Sequence, residues 1–203
     1  MGVNLVKGQK VNLQKSDGGT LRKVVVGLGW DEAQPQKSGG ILGSLFGATK
    51  TQNIDCDASA FVCVSGKVVS NTDIVYFGNL KHVSGAVQHM GDNLTGAGAG
   101  DDEQIIVDLN SVPQNYDKIV FVVNIYQASQ RNQHFGMIQN AFIRIVDADN
   151  NQELCRYNLS DNYNGMTAMI FGEIYRYNGQ WKFSAVGQAT TDNDIKSLAG
   201  RFN

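Results

Sequence analysis

Short runs of β-branched and aromatic residues recur along most of the chain, and Gly, Asn and Asp separate them. Several runs alternate apolar and polar positions, which is the period-two pattern of a β-strand with one buried face. The pattern predicts strands at residues 22–30, 58–64, 73–77, 103–109, 117–126, 140–148, 153–159, 167–177 and 180–189, with a further one at 11–15.

Turn residues connect two pairs of these strands. Asn178-Gly179 lies between two predicted strands, and Asn-Gly is the strongest short signal for a tight β-hairpin. Residues 148–151 join two more runs through Asp and Asn, which tolerate turn conformations. Many short strands joined in this way are typical of an antiparallel sandwich.

Helical patterns are few. Residues 109–115 predict one helical turn. Residues 190–202 predict a terminal helix that Thr191 or Asp192 caps and that places Ile195, Leu198 and Phe202 on one face. The predicted fold class is therefore all-β, an antiparallel β-sandwich with a short C-terminal helix.

A single domain over residues 1–203 is predicted, because no linker and no internal repeat interrupts the pattern. The unusual segment is the glycine-rich stretch 35–52, which carries Ile41, Leu42, Leu45 and Phe46. Connections this long are usually functional or disordered. Two interpretations stay open: a flexible flap, or an apolar tip that docks on a partner or a membrane surface.

Composition and charge argue against some classes of function. The chain has 203 residues with 42% apolar content and a net charge of only -2, and its Lys and Arg are dispersed. A nucleic-acid binder that works by bulk electrostatics normally has a basic face. No apolar run has the length of about 18 residues that a spanning helix needs, and no secretory signal is evident.

Three cysteines without paired spacing fit free thiols in a reducing cytoplasm, with Cys63 and Cys155 as core residues.

Carboxylates concentrate in three short segments. The glycine-rich stretch 91–103, GDNLTGAGAGDDE, contains Asp92, Asp101, Asp102 and Glu103, and two other segments supply Asp31 and the pair Asp55 and Asp57. If these segments share one end of the sandwich, six or seven carboxylates converge. Like charges at about 4 Å repel by about 1 kcal/mol in water and by more where water is excluded. Bound cations or raised pKa values relieve that repulsion.

Calcium fits this residue set better than other ions do. Calcium takes hard oxygen ligands in flexible geometry, whereas zinc and copper prefer His and Cys. The EF-hand spacing is absent: in a loop that starts at Asp147, position 6 is Gln152 and position 12 is Asn158. The alternative, a solvated acidic segment that binds no ion, stays open.

Catalytic signatures are weak, so we predict that the chain is not an enzyme. No nucleophile elbow is present, and residues 96–100 lack the spacing of a dinucleotide-binding loop. Two alternatives remain to a calcium-ordered interaction module. One is a metal-dependent hydrolase of phosphorylated or nucleotide substrates, for which no base is evident. The other is a calcium-dependent membrane binder that inserts Leu45 and Phe46.

Specific motifs of the chain resemble the TerD-domain proteins, the tellurium-resistance and general stress proteins of bacteria. They include VGLGWD at 26–31, DCDASAF at 55–61, the 91–103 segment and FGEIYRYNGQWKF at 171–183. The resemblance covers nearly the whole chain. It implies a β-sandwich that binds calcium, usually two ions, and a cytoplasmic role in resistance to tellurite and other stresses. It also implies partner proteins of the same stress systems at the inner membrane surface, and no established catalytic activity.

The resemblance assigns the family's metal-site positions to particular residues here. These are Asp31, Asp55, Asp57, Asp92, Asn93, Thr95, Asp101, Asp102 and Glu103. Two departures from the common family pattern are Cys56, where Leu is usual, and the greater length of segment 35–52.

Overall fold

The computed structural model describes residues 2–15, 17–32, 54–91 and 100–203. Within these ranges the strands form two six-stranded sheets. The predicted segment 35–52 and the candidate ligands Asp92, Asn93 and Thr95 lie outside the described residues.

The first sheet has β3 and β9 near its centre. Its strand order is β1 (Val3–Leu5), β10 (Gln152–Asn158), β9 (Ile138–Asp147), β3 (Lys23–Glu32), β7 (Glu103–Asp108) and β6 (Val87–His89). Its neighbouring strands are antiparallel, except that β1 pairs with β10 in parallel.

The second sheet is antiparallel throughout. Its strand order is β2 (Lys10–Asn12), β12 (Gln180–Thr190), β11 (Ala168–Tyr177), β8 (Lys118–Ile125), β4 (Cys56–Cys63) and β5 (Ile74–Val75). Asn178 and Gly179 both have positive φ in the β11–β12 turn, as the Asn-Gly signal predicts.

The main core fills the space between the sheets. Alternate residues of each strand enter it, for example Val24, Val26 and Leu28 of β3. Cys56 and Cys155 are buried in this core, which confirms that Cys155 is a packing residue.

A second, smaller core lies on the outer face of the second sheet. Phe61 and Cys63 of β4 pack there with Val120 and Val122 of β8. The C-terminal helix α2 (Ile195–Ala199) covers them with Leu198, and Ile195 and Phe202 pack at its margin. The predicted apolar face of this helix is therefore confirmed.

Some local predictions differ from the structure. The N-cap of α2 is Asp194, whose side chain accepts from Ser197 N at 2.7 Å, rather than Thr191 or Asp192. Asp192 instead pairs with Arg201. Residues 109–115 form turns and no helix. A four-residue helix, α1 (Ala128–Arg131), and short 3-10 turns at Asn71–Asp73, Phe135–Met137 and Gly200–Phe202 complete the described helical structure. None of these helices has the length and apolar character needed to cross a lipid bilayer.

Candidate functional site

The described carboxylates of the predicted site lie at one end of the sandwich, here called the acidic end. Leu28 near the end of β3 pairs with Glu103 at the start of β7. On the second sheet, Asp55 and Asp57 lie at the start of β4. His89 joins the two sheets at this end, because its Nε2 atom lies 3.1 Å from the carbonyl oxygen of Ala58 and 3.0 Å from Glu103.

Asp31 and Asp102 lie near each other at the end of β3, in the first sheet. The backbone N–H of Trp30 donates to Asp102 Oδ2 at 2.7 Å, and Asn140 donates to Asp31 Oδ2 at 2.8 Å. Burial raises the pKa of Asp102 above its ordinary value of 3.8, and the nearby charges of Asp31 and Asp101 raise it further, although the Trp30 bond opposes the shift. The charged neighbours that act on Asp102 are thus themselves acids.

Asp101, unlike Asp102, pairs with a basic side chain. Arg144 donates to both of its oxygens, from Nε at 2.7 Å and from Nη2 at 3.0 Å, and Gln104 adds a bond at 3.0 Å. The same pairing raises the pKa of Arg144. A Cβ atom added at Gly27 would lie 2.2 Å from the Asp101 carboxyl carbon, so glycine is required beneath this ion pair. A bidentate Arg–carboxylate pair compensates the Asp101 charge.

Glu103 faces the interior of the sandwich. It is 5% exposed and continues the inward alternation of Ile105 and Val107 along β7. The Gly91 N–H donates to His89 Nδ1 at 3.0 Å, so in the neutral ring the proton is assigned to Nε2, which faces Glu103 and Ala58. Glu103 is therefore engaged within the fold.

Asp55 and Asp57 point away from the Asp31–Asp102 pair. Asp57 shares its strand face with Ser59 and Phe61, which is the outer face of the second sheet, while Cys56 and Ala58 enter the main core. Asp55 is exposed and lies 3.8 Å from Arg131.

The described residues therefore bring together two of the predicted ligands, Asp31 and Asp102, with Asp101 beside them. In ranges 2–15, 17–32, 54–91 and 100–203, no group of three or more His, Cys, Asp or Glu side chains is arranged to hold a metal ion. Carboxylate oxygens are the hard donors that calcium prefers. The pair supplies two of the six to eight oxygen ligands that a calcium ion takes.

Two residues that pair with carboxylates at the acidic end, Arg144 and His89, are not predicted from the sequence. Arg144 is the main one, and its signal is a lone charge inside the apolar run Phe142 to Val146. His89 is not among the predicted site residues, and in the structure it is 2% exposed and bridges the two sheets.

Comparisons with known proteins agree with this fold. The TerD domain model matches residues 1–202. The chain is 52% identical over 202 residues to the stress response protein SCP2 of Bacillus subtilis, with 100% of both chains covered. It is 46% identical over 189 residues to the tellurium resistance protein TerD of Serratia marcescens, covering 93% of this chain and 91% of that one.

A solved structure shares the architecture at lower identity. It is the crystal structure of a homologue of the telluride resistance protein from Streptomyces coelicolor A3(2), with a TM-score of 0.61 and 21% identity over 89% of this chain and 96% of that chain. This similarity supports the fold alone. The match of the family model and the two relatives show that the chain belongs to the TerD domain family of tellurium-resistance and general stress proteins.

Proposed function

We propose that this chain is a calcium-binding stress-response protein that acts by binding a partner and not by catalytic turnover. The observation that carries the proposal is Asp102. It is partly buried, its pKa is raised, and the charged groups that act on it are the acids Asp31 and Asp101. A carboxylate held in this way destabilises the fold unless a cation or a proton neutralises it.

Asp31 and Asp102 are the described residues that would hold the ion. Their partners would be the predicted ligands Asp92, Asn93 and Thr95. Asp101 and Glu103 would shape the segment, because Arg144 and His89 already engage them. A second ion, and the ligand roles of Asp55 and Asp57, stay predictions.

Calcium would supply positive charge at the acidic end and hold segment 91–103 against the end of β3. Binding to the folded state alone adds RT ln(1 + [Ca]/Kd), about 2.7 kcal/mol when free calcium is about a hundredfold above Kd. The ordered acidic end would then present a fixed surface to a partner.

The test is thermal unfolding of the chelated protein with and without calcium. We expect the melting temperature to rise with calcium and to fall again when chelator is added. Asp102→Asn should lose most of this rise, because it removes a ligand charge while it keeps an acceptor for the Trp30 N–H. Asp161→Asn is the matched control, since Asp161 pairs with Lys7 away from the acidic end. An unchanged melting temperature at millimolar calcium would contradict the proposal.

The names of the relatives support a role in stress responses. Proteins named for stress response and for tellurium resistance align with nearly all of this chain. From the family resemblance we also propose that the chain works in the cytoplasm with other proteins of the same stress systems, at the inner surface of the membrane. Co-purification from tellurite-stressed cells, in calcium and in chelator, tests this setting. Partners that are retained equally in chelator would argue against a calcium-ordered surface.

A further inference from the structure

A cleft of about 460 Å³ lies at the end of the sandwich opposite the acidic end. Strand β7 starts at the acidic end with Glu103, and Leu109 and Asn110, directly after its last residue, line the cleft. Gly179 of the β11–β12 turn and Trp181 line it as well. Its volume is within the range of small-ligand pockets.

Arg176 is the one charged side chain among the described residues that line the cleft. Its Nε atom donates to the Tyr116 carbonyl at 3.2 Å, and its Nη2 atom donates to the Val112 carbonyl at 2.7 Å. The guanidinium also lies over the Trp181 ring, with its central carbon 4.1 Å from the ring centre. These contacts fix the orientation of the guanidinium, and they use two of the five N–H donors that an arginine has.

The charge of Arg176 has no acidic partner within the described residues. Burial lowers the pKa of Arg176, and no described carboxylate opposes this shift. Two acids near the cleft in the sequence are held by their own turns. Asp17 accepts from the Gly19 N–H at 2.8 Å, and Asp108 accepts from the Ser111 N–H at 3.2 Å. A partly buried cation without an anion is costly, and a bound anion would remove that cost.

Amide side chains line the same cleft and are exposed. They are Asn12, Gln14, Asn110, Gln114 and Gln180. An amide has both an acceptor oxygen and N–H donors, so it pairs well with hydroxyl groups, which also donate and accept. A single cation suits one oxyanion, whereas a nucleic-acid backbone needs several basic contacts. The lining therefore matches a ligand with one anionic group and several hydroxyls.

We propose that this cleft binds a small hydroxylated anion, either a sugar phosphate or a sugar acid. The oxyanion would accept hydrogen bonds from the remaining N–H groups of Arg176, since arginine forms such bonds with phosphate and carboxylate alike. The amides would contact the hydroxyls. The site goes beyond the proposed calcium-dependent function, because none of its described lining residues belongs to the acidic end.

The experiment is an NMR titration of the full chain in chelator-containing buffer, followed at the indole N–H groups. The chain has two tryptophans, Trp181 in the cleft and Trp30 at the acidic end. The Trp181 indole donates to the Leu109 carbonyl at 3.0 Å, so both partners of this bond line the cleft. We expect glucose 6-phosphate or glucuronate to shift the Trp181 signal saturably and to leave the Trp30 signal in place. Glucose and glucosamine, the neutral and cationic counterparts, should shift neither.

The two anions identify the oxyanion. Tighter binding of glucose 6-phosphate would assign the site to a phosphate, and tighter binding of glucuronate would assign it to a carboxylate. Both results support the site. Inorganic phosphate tests the role of the hydroxyls, and it should bind roughly tenfold more weakly than glucose 6-phosphate, because it leaves the amides without a partner. Equal affinity of the two would overturn the hydroxylated ligand.

Variants separate the charge from the amides. Arg176→Gln keeps N–H donors for the backbone carbonyls and removes the charge. It should weaken anion binding by on the order of ten- to a hundredfold, the range for a lost charge-assisted hydrogen bond. Gln114→Ala, at an exposed position, should weaken it by about two- to tenfold, which keeps the proposal testable if Arg176→Gln fails to fold. Arg201→Gln is the matched control, because it removes the same charge from a residue that pairs with Asp192 beside helix α2.

Calcium separates this proposal from the previous one. The affinity for the anion should be the same with calcium and with chelator, and Asp102→Asn should lose calcium stabilisation and keep anion binding. Absence of a saturable Trp181 shift at millimolar anion would overturn the inference and leave the calcium proposal standing. Equal affinity of Arg176→Gln and the unaltered protein would also overturn it, because the cation would then have no part in binding.

Discussion

Asp101 and Asp102 are adjacent in the sequence and have opposite electrostatic surroundings. Asp101 lies over Gly27 in a two-bond pair with Arg144, while Asp102 receives one backbone N–H and faces other acids. The concentration of acidic residues indicates a metal site here, and the family resemblance assigns both aspartates to it. The sequence does not reveal which one a basic side chain already neutralises, because Arg144 arrives from β9, more than forty positions away.

Burial raises the pKa of two cysteine thiols and so lowers their reactivity. Desolvation raises the pKa values of Cys63 and Cys155 from 9.0 to about 12. Their thiolates are therefore scarce in the folded protein at pH 8, and thiolate is the reactive form. We expect neither thiol to react with iodoacetamide at pH 8 in the native state, and both to react in urea.

Peptide mass spectrometry after timed labelling measures this reaction. The raised pKa of both thiols also predicts that the free energy of unfolding falls as pH rises past 9.0. Above that pH the thiols ionise in the unfolded chain but stay protonated in the folded protein. Native labelling of Cys63 or Cys155 at the denatured rate would show that these thiols are accessible, and thiol chemistry toward tellurite would then need to be considered.

At the scale of elements, long periodic runs are predicted well and very short ones are not. The runs at 22–30 and 167–177 correspond to β3 and β11 with small shifts of their ends. The strands β1 and β6 were missed, because three residues are too few to establish a period. The helix α1 was missed for the same reason.

Helix α2 is short, so tertiary packing and not helix propensity must hold it in place. Leu198 is fully buried against the outer face of the second sheet. We expect Leu198→Ala to lower the free energy of unfolding by about 2–5 kcal/mol, the range for a buried leucine. Urea denaturation followed by tryptophan fluorescence measures the change.

Lys196→Ala on the same helix is the matched control, because Lys196 is exposed. It should alter stability by less than about 0.5 kcal/mol. Equal effects of the two substitutions would mean that α2 contributes through its helical structure and not through the second core.

At the scale of the whole molecule, the sequence allows the acidic segments to share one end of the sandwich, but it does not predict where each side chain points. The β4 strand is buried on both faces, with α2 over the outer one. A strand covered on both faces loses the alternation that distinguishes inside from outside. For this reason Asp57 could be assigned to the end of the sandwich but not to its outer face, where Ser59 and Asn124 lie.

Two backbone amides report directly on the proposed calcium site within the whole fold. The Trp30 N–H donates to Asp102 Oδ2, and the Asp102 N–H donates to the Leu28 carbonyl at 2.8 Å. Calcium at the acidic end should slow hydrogen exchange at both amides, since local opening there would break the ion's coordination. The Lys67 N–H, bonded to Val64 O at the opposite end of β4, should change little when exchange occurs by local opening. Equal protection at Lys67 and Trp30 would place the effect of calcium elsewhere.

Because His89 ties the two sheets together at the acidic end, protection should also extend to the Gly91 N–H, which donates to His89 Nδ1. Protection of the Gly91 amide would mean that the ion orders the whole acidic end, whereas protection of only Trp30 and Asp102 would mean that it orders the end of β3 alone.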